Sequence, residues 1–510
     1  MITQIFGEKI SNNSFKETIY TQNLLFAKNY FIEKIKDYGT EKLENLYKKI
    51  TQQLLFNTFT ITQEVDVCVA FETMNNRGKP LSYLELLKNR LIFLSLKLDD
   101  DEDDKKQLRK TINDCWKSIY HNLGRNKDKP LADDLFLQYH YLIHFGSNLL
   151  KTDSEGFIGI RAPQYSHHGD FYTQGLLEQK FTSENVYLND ENKIDLNYIF
   201  EYTQSLQESV ETWYNIWNPM DSNYSDEEKI YLDKINRIDS IYFRPLVLLF
   251  MQKVQNELTR IEFLKTIERF SFLINITDRY VIKNYSKFRT IQSLVLKLCN
   301  DFKNEDIEAA QLTLNLNEIS SKIKSESLLP ILKQTLKNHN FYEWDMIRHF
   351  LFEYNLSLQH KSKTERSKIN WSEFTENFEK DFITIEHIYP QNTRSAEWAI
   401  FKDFHAKEKK ILRNSLGNLL PLSQPKNSSL SNKPFKDKIN GKEGSFIGYR
   451  FGCYAENEVS KFSIWTPDNI LDRGITLLNF LEKRWGVKLG TEEDKISLLG
   501  LNFLSGKNKV

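Results

Sequence analysis

From Lys105 to about Thr375 glycine is scarce, and apolar residues recur at mixed three- and four-residue spacing. This pattern constrains the fold more than any other feature. Segments such as KPLADDLFLQYHYLIHF, RIEFLKTIERFSFLINI and YEWDMIRHFLFEYNLSL carry the period of an amphipathic helix, and no fixed repeat length runs through them. The expected fold class is α+β, mainly α-helical. With 510 residues, and roughly 100–200 residues per domain, three or four units are expected, enough to bury a sizeable core.

The N-terminal part is more mixed. Residues 14–57 read as helical, Asn57–Thr62 (NTFTIT) as a short β-branched strand, and Val65–Met74 as a further helix. Asn76 to Pro80 is a turn, because Gly78 tolerates positive φ and Pro80 fixes the next one. Ser82 followed by Glu85 is a capping box that opens a helix through LELLKNRLIFLSL. The six acids Asp99–Asp104 read as a solvated linker between domains. Gly156–Asp170, with His167 and His168, reads as a surface loop.

Charge excludes little. Sixty-nine basic residues balance sixty-nine acidic ones, so any charged partner must be recognised by a local excess. Cys68, Cys115, Cys299 and Cys453 are far apart, which argues against a disulfide framework or a cysteine-rich zinc site. MITQIFGEKISNN has no apolar h-region. The longest apolar stretch, Ile241–Met251, is interrupted by Arg244 and Pro245 and is too short to span a bilayer. A cytoplasmic protein without a membrane partner is expected.

The character changes near Asp381. Three pieces follow one another: ITIEHIYPQN (Ile383–Asn392), SLGNLLPLS (Ser415–Ser423) and KNSSLSNKPFKDK (Lys426–Lys438). The first reads as a strand ending in a carboxylate beside an imidazole. The second reads as a strand entered through a Gly-Asn turn, and the third as a short basic helical segment. Cutting a phosphodiester needs a base for water, a cation for the developing charge, and a support that fixes the base. His387 suits the base, since imidazole titrates near neutrality. Glu386 and Asn427 offer the hard oxygen ligands that Mg²⁺ or Mn²⁺ prefers. Asn418 either holds the strand-connecting loop or orients His387. Ten Lys or Arg against three acids between Lys402 and Lys442 give a local positive excess, in which Lys433, Lys436 and Lys438 are candidate DNA phosphate contacts.

EHIYPQN, LGNLLPL and N-x-x-L-x-N-x-P-F-x-x-K together resemble the HNH domain of GmrSD-like type IV, modification-dependent restriction endonucleases. The resemblance implies a C-terminal ββα-metal nuclease module acting on duplex DNA, in defence against foreign or modified phage DNA. His387 would be the general base and Asn418 the central polar residue. Asn427 would replace the final histidine and keep an oxygen ligand, and Glu386 would stand at the usual metal-binding acid. The tail WTPDNILDRGITLLNFLEKRW is similar to the segment that follows this domain.

VAFETMNNRGKPLSYLELLKN (Val69–Asn89) resembles the late part of the same family's N-terminal nucleotide-using domain. Asn75, Arg77 and Gly78 are the candidate nucleotide contacts. The D-G-Q-Q-R motif that normally opens that domain is absent, so the nucleotide is doubtful as a cofactor. The implied units are a partial N-terminal domain (1–98), a helical middle (105–375), the nuclease module (376–447) and a C-terminal helical extension (448–510). Two alternatives stay open: a non-catalytic or partner-dependent subunit, whose partner chain supplies D-G-Q-Q-R, and a toxin-like nonspecific nuclease.

Overall fold

Helix caps define most of the architecture in the computed structural model. The structure describes residues 18–55, 81–160, 172, 174–190, 192–238, 241–277, 286–326, 328–336, 340–364, 366–371, 383–392 and 395–505. The strand expected at Asn57–Thr62, the helix at Val65–Met74 and the turn after Asn76 lie outside them, as do His167, His168, Asn75, Arg77 and Gly78.

The first expected helical stretch divides into α1 (Ile19–Ile35) and α2 (Thr40–Lys48), which bury none of their residues. Their apolar positions, Leu24, Phe26, Tyr30 and Phe31 among them, are exposed. The capping box comes out as expected. Ser82 Oγ accepts from the Glu85 N–H, and Glu85 Oε2 accepts from the Ser82 N–H at 3.0 Å, opening α3 (Tyr83–Lys97). Leu84, Leu87, Leu91 and Leu94 recur on one face of α3 and are fully buried. The acid run is less a linker than a helix start. Asp101 is the N-cap of α4 (Glu102–Leu123), and Glu102, Asp103 and Asp104 fill its first turn, where negative charge opposes the helix dipole.

The middle region is helical as expected: α5 (Asp133–Phe145), a hairpin of β1 (Leu150–Thr152) and β2 (Ile158–Ile160), then α6 (Leu196–Trp217), α7 (Asp226–Arg237), α8 (Arg244–Lys253), α9 (Glu257–Ile276), α10 (Ile291–Lys303), α11 (Ala309–Glu326) and α12 (Ile347–Lys361). The apolar Ile241–Met251 stretch supplies α8, in which every residue from Leu246 to Met251 is buried. Arg244 is buried with them and stacks on Trp217, 3.9 Å from the ring centroid. Phe270 and Phe272 are core residues. Among the described residues no helix is long and apolar enough to cross a membrane.

The C-terminal part begins with β3 (Ile383–His387), which pairs antiparallel with β4 (Leu419–Ser423), Ile383 opposite Ser423 and His387 opposite Leu419. Between them lies α13 (Ala406–Asn414); α14 (Gln424–Leu430) and α15 (Phe435–Asn440) follow β4 at once. The tail helix α16 (Pro467–Trp485) packs across the entry to β4. Gly417 is required there for closeness: a Cβ would lie 1.9 Å from the Ile470 carbonyl oxygen and 2.7 Å from the Gly474 nitrogen. One contiguous apolar core runs from Leu84 to Leu504. An ion network adds to it: Arg484 of α16 pairs with Glu268 of α9 at 2.7 Å and with Glu353 of α12 at 2.9 Å, and Glu353 pairs with Arg237 of α7 at 2.6 Å.

Candidate active site

The end of β3 is where the chemistry-bearing residues gather. Successive strand residues point to opposite faces, so the adjacent Glu386 and His387 have different surroundings. His387 Nε2 lies 3.2 Å from Asn414 Oδ1 at the end of α13. An amide oxygen only accepts, so Nε2 carries the proton and Nδ1 holds the lone pair. The bond to Asn414 engages Nε2 and not Nδ1. The Tyr342 ring packs against the imidazole, centroids 4.4 Å apart. Burial holds the His387 pKa down at about 4; the bond to Asn414 opposes this, and Lys438 and Arg413 add to it. The ring is therefore neutral at neutral pH and a weaker base than a free imidazole, unlike the near-neutral titration expected from the sequence.

Glu386 lines the same cleft as His387 and is bonded inward from it. Its Oε1 accepts from Lys438 Nζ at 2.5 Å and from the Tyr449 hydroxyl at 3.1 Å. Lys438 also donates to the carbonyls of His387 (3.1 Å) and Ile388 (3.2 Å). Both side chains are buried, Lys438 completely. Burial pushes the carboxyl above its ordinary range and the ammonium below its own, while each draws the other back. Lys438, expected to meet a DNA phosphate, has no exposed surface to offer one. Glu386 Oε1 is bonded to its ammonium, and Glu386 also lines the cleft that holds His387 and Asn427. Lys436 is exposed. Lys433 is half-buried, donating to the Ser429 carbonyl at 2.7 Å over the Phe446 ring.

Asn418 is fully buried and has all its amide bonds met. Oδ1 accepts from the Tyr389 N–H (2.8 Å) and Trp465 Nε1 (3.1 Å), and Nδ2 donates to the carbonyls of Tyr389 (3.1 Å) and Arg413 (2.9 Å). Of its two expected roles the structure contains the loop-holding one: it fastens the chain after His387 to the chain before β4. Its side-chain amide makes no hydrogen bond to the His387 imidazole. Arg473 of α16 supports the same turn by donating to the carbonyls of Gly417 and Leu419.

Asn427, on α14, donates from Nδ2 to Thr384 Oγ1 at 2.7 Å, which turns its Oδ1 the opposite way. His387 and Asn427 line one cleft of about 430 Å³, with Tyr342, Asn392, Gln424 and Asn432. Among the described residues no group of three or more His, Cys, Asp or Glu is placed to hold a metal ion. Glu386 lines the same cleft, so the side-chain oxygens there are those of a carboxylate bonded to Lys438 and of amides and hydroxyls, with Asn427 Oδ1 oriented by the bond to Thr384.

Sequence reasoning missed Asn414, Tyr342 and Tyr449. Asn414 stands just before SLGN, where a polar residue reads as loop. Tyr342 and Tyr449 arrive from distant segments, and nothing local marks them.

Residues 329–480 match the family model described as GmrSD restriction endonucleases, C-terminal domain. The matched stretch contains β3, β4, α14, α15 and α16 as far as Phe480. It supports a GmrSD-like relationship for this part of the chain and points to a restriction endonuclease role. No curated protein matches the chain.

Proposed function

We propose that the chain is an HNH-type endonuclease that hydrolyses DNA phosphodiester bonds, with β3, β4 and α14 as its ββα unit. The observation that carries this is the His387 cleft: a neutral imidazole with Nε2 tied to Asn414, its lone pair on Nδ1, and Asn427 across the same 430 Å³ space. In the proposed reaction Nδ1 takes a proton from water as the water oxygen bonds to phosphorus. The bond from phosphorus to the leaving sugar oxygen breaks, and that oxygen takes a proton from solvent. Asn414 and the Tyr342 ring hold the imidazole in one tautomer and one plane. Asn418 and Lys438 hold the backbone on which it sits.

A hard divalent cation, Mg²⁺ or Mn²⁺, would be held by Asn427 Oδ1 and the Glu386 carboxylate, which line the same cleft, with water and phosphate oxygens completing its shell. When bound it would supply charge neutralisation at the phosphoryl group. The donor set suits a largely hydrated hard ion and not a soft one. Exposed Lys436 and half-buried Lys433 would meet the backbone of duplex DNA.

The test is cleavage of plasmid and phage DNA by the purified chain, with Mg²⁺, Mn²⁺ and EDTA compared. His387→Ala should lose about 10²–10⁴-fold, the usual contribution of a general base. Cutting at the full rate by that variant removes His387 from the mechanism, and cutting unchanged in excess EDTA removes the metal. One observation favours a second reading, that the chain works with a partner chain: α1 and α2 bury nothing and leave a row of apolar side chains in water. A chain that cuts only after a second subunit is added would favour it.

A further inference from the structure

α14 is a partition between two spaces. Its Gln424, Asn427 and Ser428 line the His387 cleft, and its Pro425, Lys426 and Ser429 line a second cavity of about 930 Å³. That cavity shares its floor with the proposed catalytic strands through Ile383 of β3 and Pro421 of β4. We propose that it takes one nucleotide unit, base and phosphate together, from the DNA strand whose scissile bond lies at His387.

Three observations point to this chemistry. First, the lining is electropositive: Arg366, Lys368 and Lys426 stand against the single carboxylate of Glu456. Lys426 and Glu456 pair with each other, which leaves Arg366 and Lys368 as the net positive charge of the lining. Lys368 is anchored by donating to the Gly452 carbonyl at 3.1 Å. The Tyr454 hydroxyl donates to the Arg366 carbonyl at 2.8 Å, fixing the backbone there. The Arg366 guanidinium is in no ion pair among the described residues and is exposed, which suits it to a phosphate. Second, Phe451 at the rim is 73% exposed and Ile447 is 61% exposed. An aromatic face in water beside cations is the surface on which nucleic-acid bases stack. Third, the volume is within the range of small-molecule sites, which the hydroxyls of Ser367 and Ser429 make polar enough to orient a ligand. An α-helix is only about 10–12 Å across, so a short length of strand lying over α14 reaches both spaces. The cavity carries the nucleotide chemistry; only the source, a DNA strand, rests on the nuclease reading.

The test is binding, so that it is independent of cutting. Fluorescence anisotropy of labelled duplex and single-stranded oligonucleotides would be followed with full-length His387→Ala in EDTA, alone and with Phe451→Ala or Arg366→Ala added. Tyr187→Ala, a remote exposed aromatic, serves as the control. Loss of about tenfold or more in affinity on either cavity change, with none for the control, supports the proposal even if the wild-type protein never cuts DNA. A free deoxynucleoside monophosphate, titrated separately, distinguishes the source: saturable binding that needs Phe451 and Arg366 while oligonucleotides bind without them assigns the cavity to a free nucleotide. Oligonucleotide and mononucleotide affinities unaffected by both changes, or no binding of either, overturn it.

Discussion

Lys438 Nζ lies 2.5 Å from Glu386 Oε1, and the two charges are buried together at the end of β3. Residues expected to meet DNA and metal thus meet each other, and the same ammonium clamps the carbonyls of His387 and Ile388. Taking two ions out of water costs more than their attraction returns unless the remaining bonds are good. Here Tyr449 and two carbonyls supply those bonds, and the result is a rigid base for the His387 side chain.

Removing one partner leaves an uncompensated buried charge, which costs about 3–5 kcal/mol. Lys438→Met should lower unfolding stability by that order in urea titration. Adding Glu386→Gln removes the orphaned charge and should recover a large part of the loss. A Lys438→Met protein as stable as the wild type would show that the pair is dispensable.

The same burial changes what is expected of the basic stretch on DNA. Each phosphate contact removed flattens the slope of log affinity against log salt by about 0.9 for duplex DNA. Lys436→Ala should show this most directly, and Lys433→Ala should show it together with some loss of local packing. Lys438→Met should leave the slope unaltered once folded protein is compared with folded protein. An unchanged slope for Lys436→Ala and Lys433→Ala together would make these lysines a solvated face only.

How much of this was legible in the sequence depends on how local the determinant was. Ser82 and Glu85 could be read because a capping box is complete within four residues, and it forms as read. The strands at Ile383–His387 and Leu419–Ser423 were legible from β-branched and apolar runs. The partner of Glu386 was not: a lysine in a basic run reads as solvated, and only the folded chain brings Lys438 to the Glu386 carboxylate and the carbonyls of His387 and Ile388. Gly417 was read as a turn glycine, yet its constraint comes from α16, some fifty residues later in the chain. The periodicity of α1 gave a helix but could not say whether its apolar face would be covered.

The segment that resembles part of a nucleotide-using domain leads into α3, and the start of α3 is occupied. Glu85 Oε2 accepts from the Ser82 N–H, and Asp134 Oδ1 accepts from the N–H groups of Tyr83 (2.8 Å) and Leu84 (3.3 Å). Two carboxylates hold the donors that a phosphate would need and would repel it. The isolated chain should therefore show no appreciable ATP or GTP hydrolysis in a phosphate-release assay. Robust turnover abolished by Arg77→Ala would show a complete site without the D-G-Q-Q-R motif.

The helical middle carries its own pH dependence. His140 and His144, one turn apart on α5, stack at 4.2 Å, and His349 is enclosed on α12. Burial drives all three pKa values down, to about 3 for His144 and His349 and well below the ordinary value for His140. Lys303 reinforces this at His140 and His144, and His144 does so at His140. At His349 the Glu353 carboxylate opposes it, while Arg237, Arg484 and Lys234 add to it. In the unfolded chain each histidine titrates near 6.5. Below that pH the unfolded state binds protons that the folded state refuses, so stability must fall as pH falls from about 6.5 toward 3. Above about 6.5 these groups contribute no slope. Thermal unfolding between pH 7.5 and 4.5 should show Tm decreasing with acid, and His349→Phe should make the decrease shallower. A Tm that stays level or rises between pH 6.5 and 4.5 would mean that these imidazoles gain their protons without unfolding.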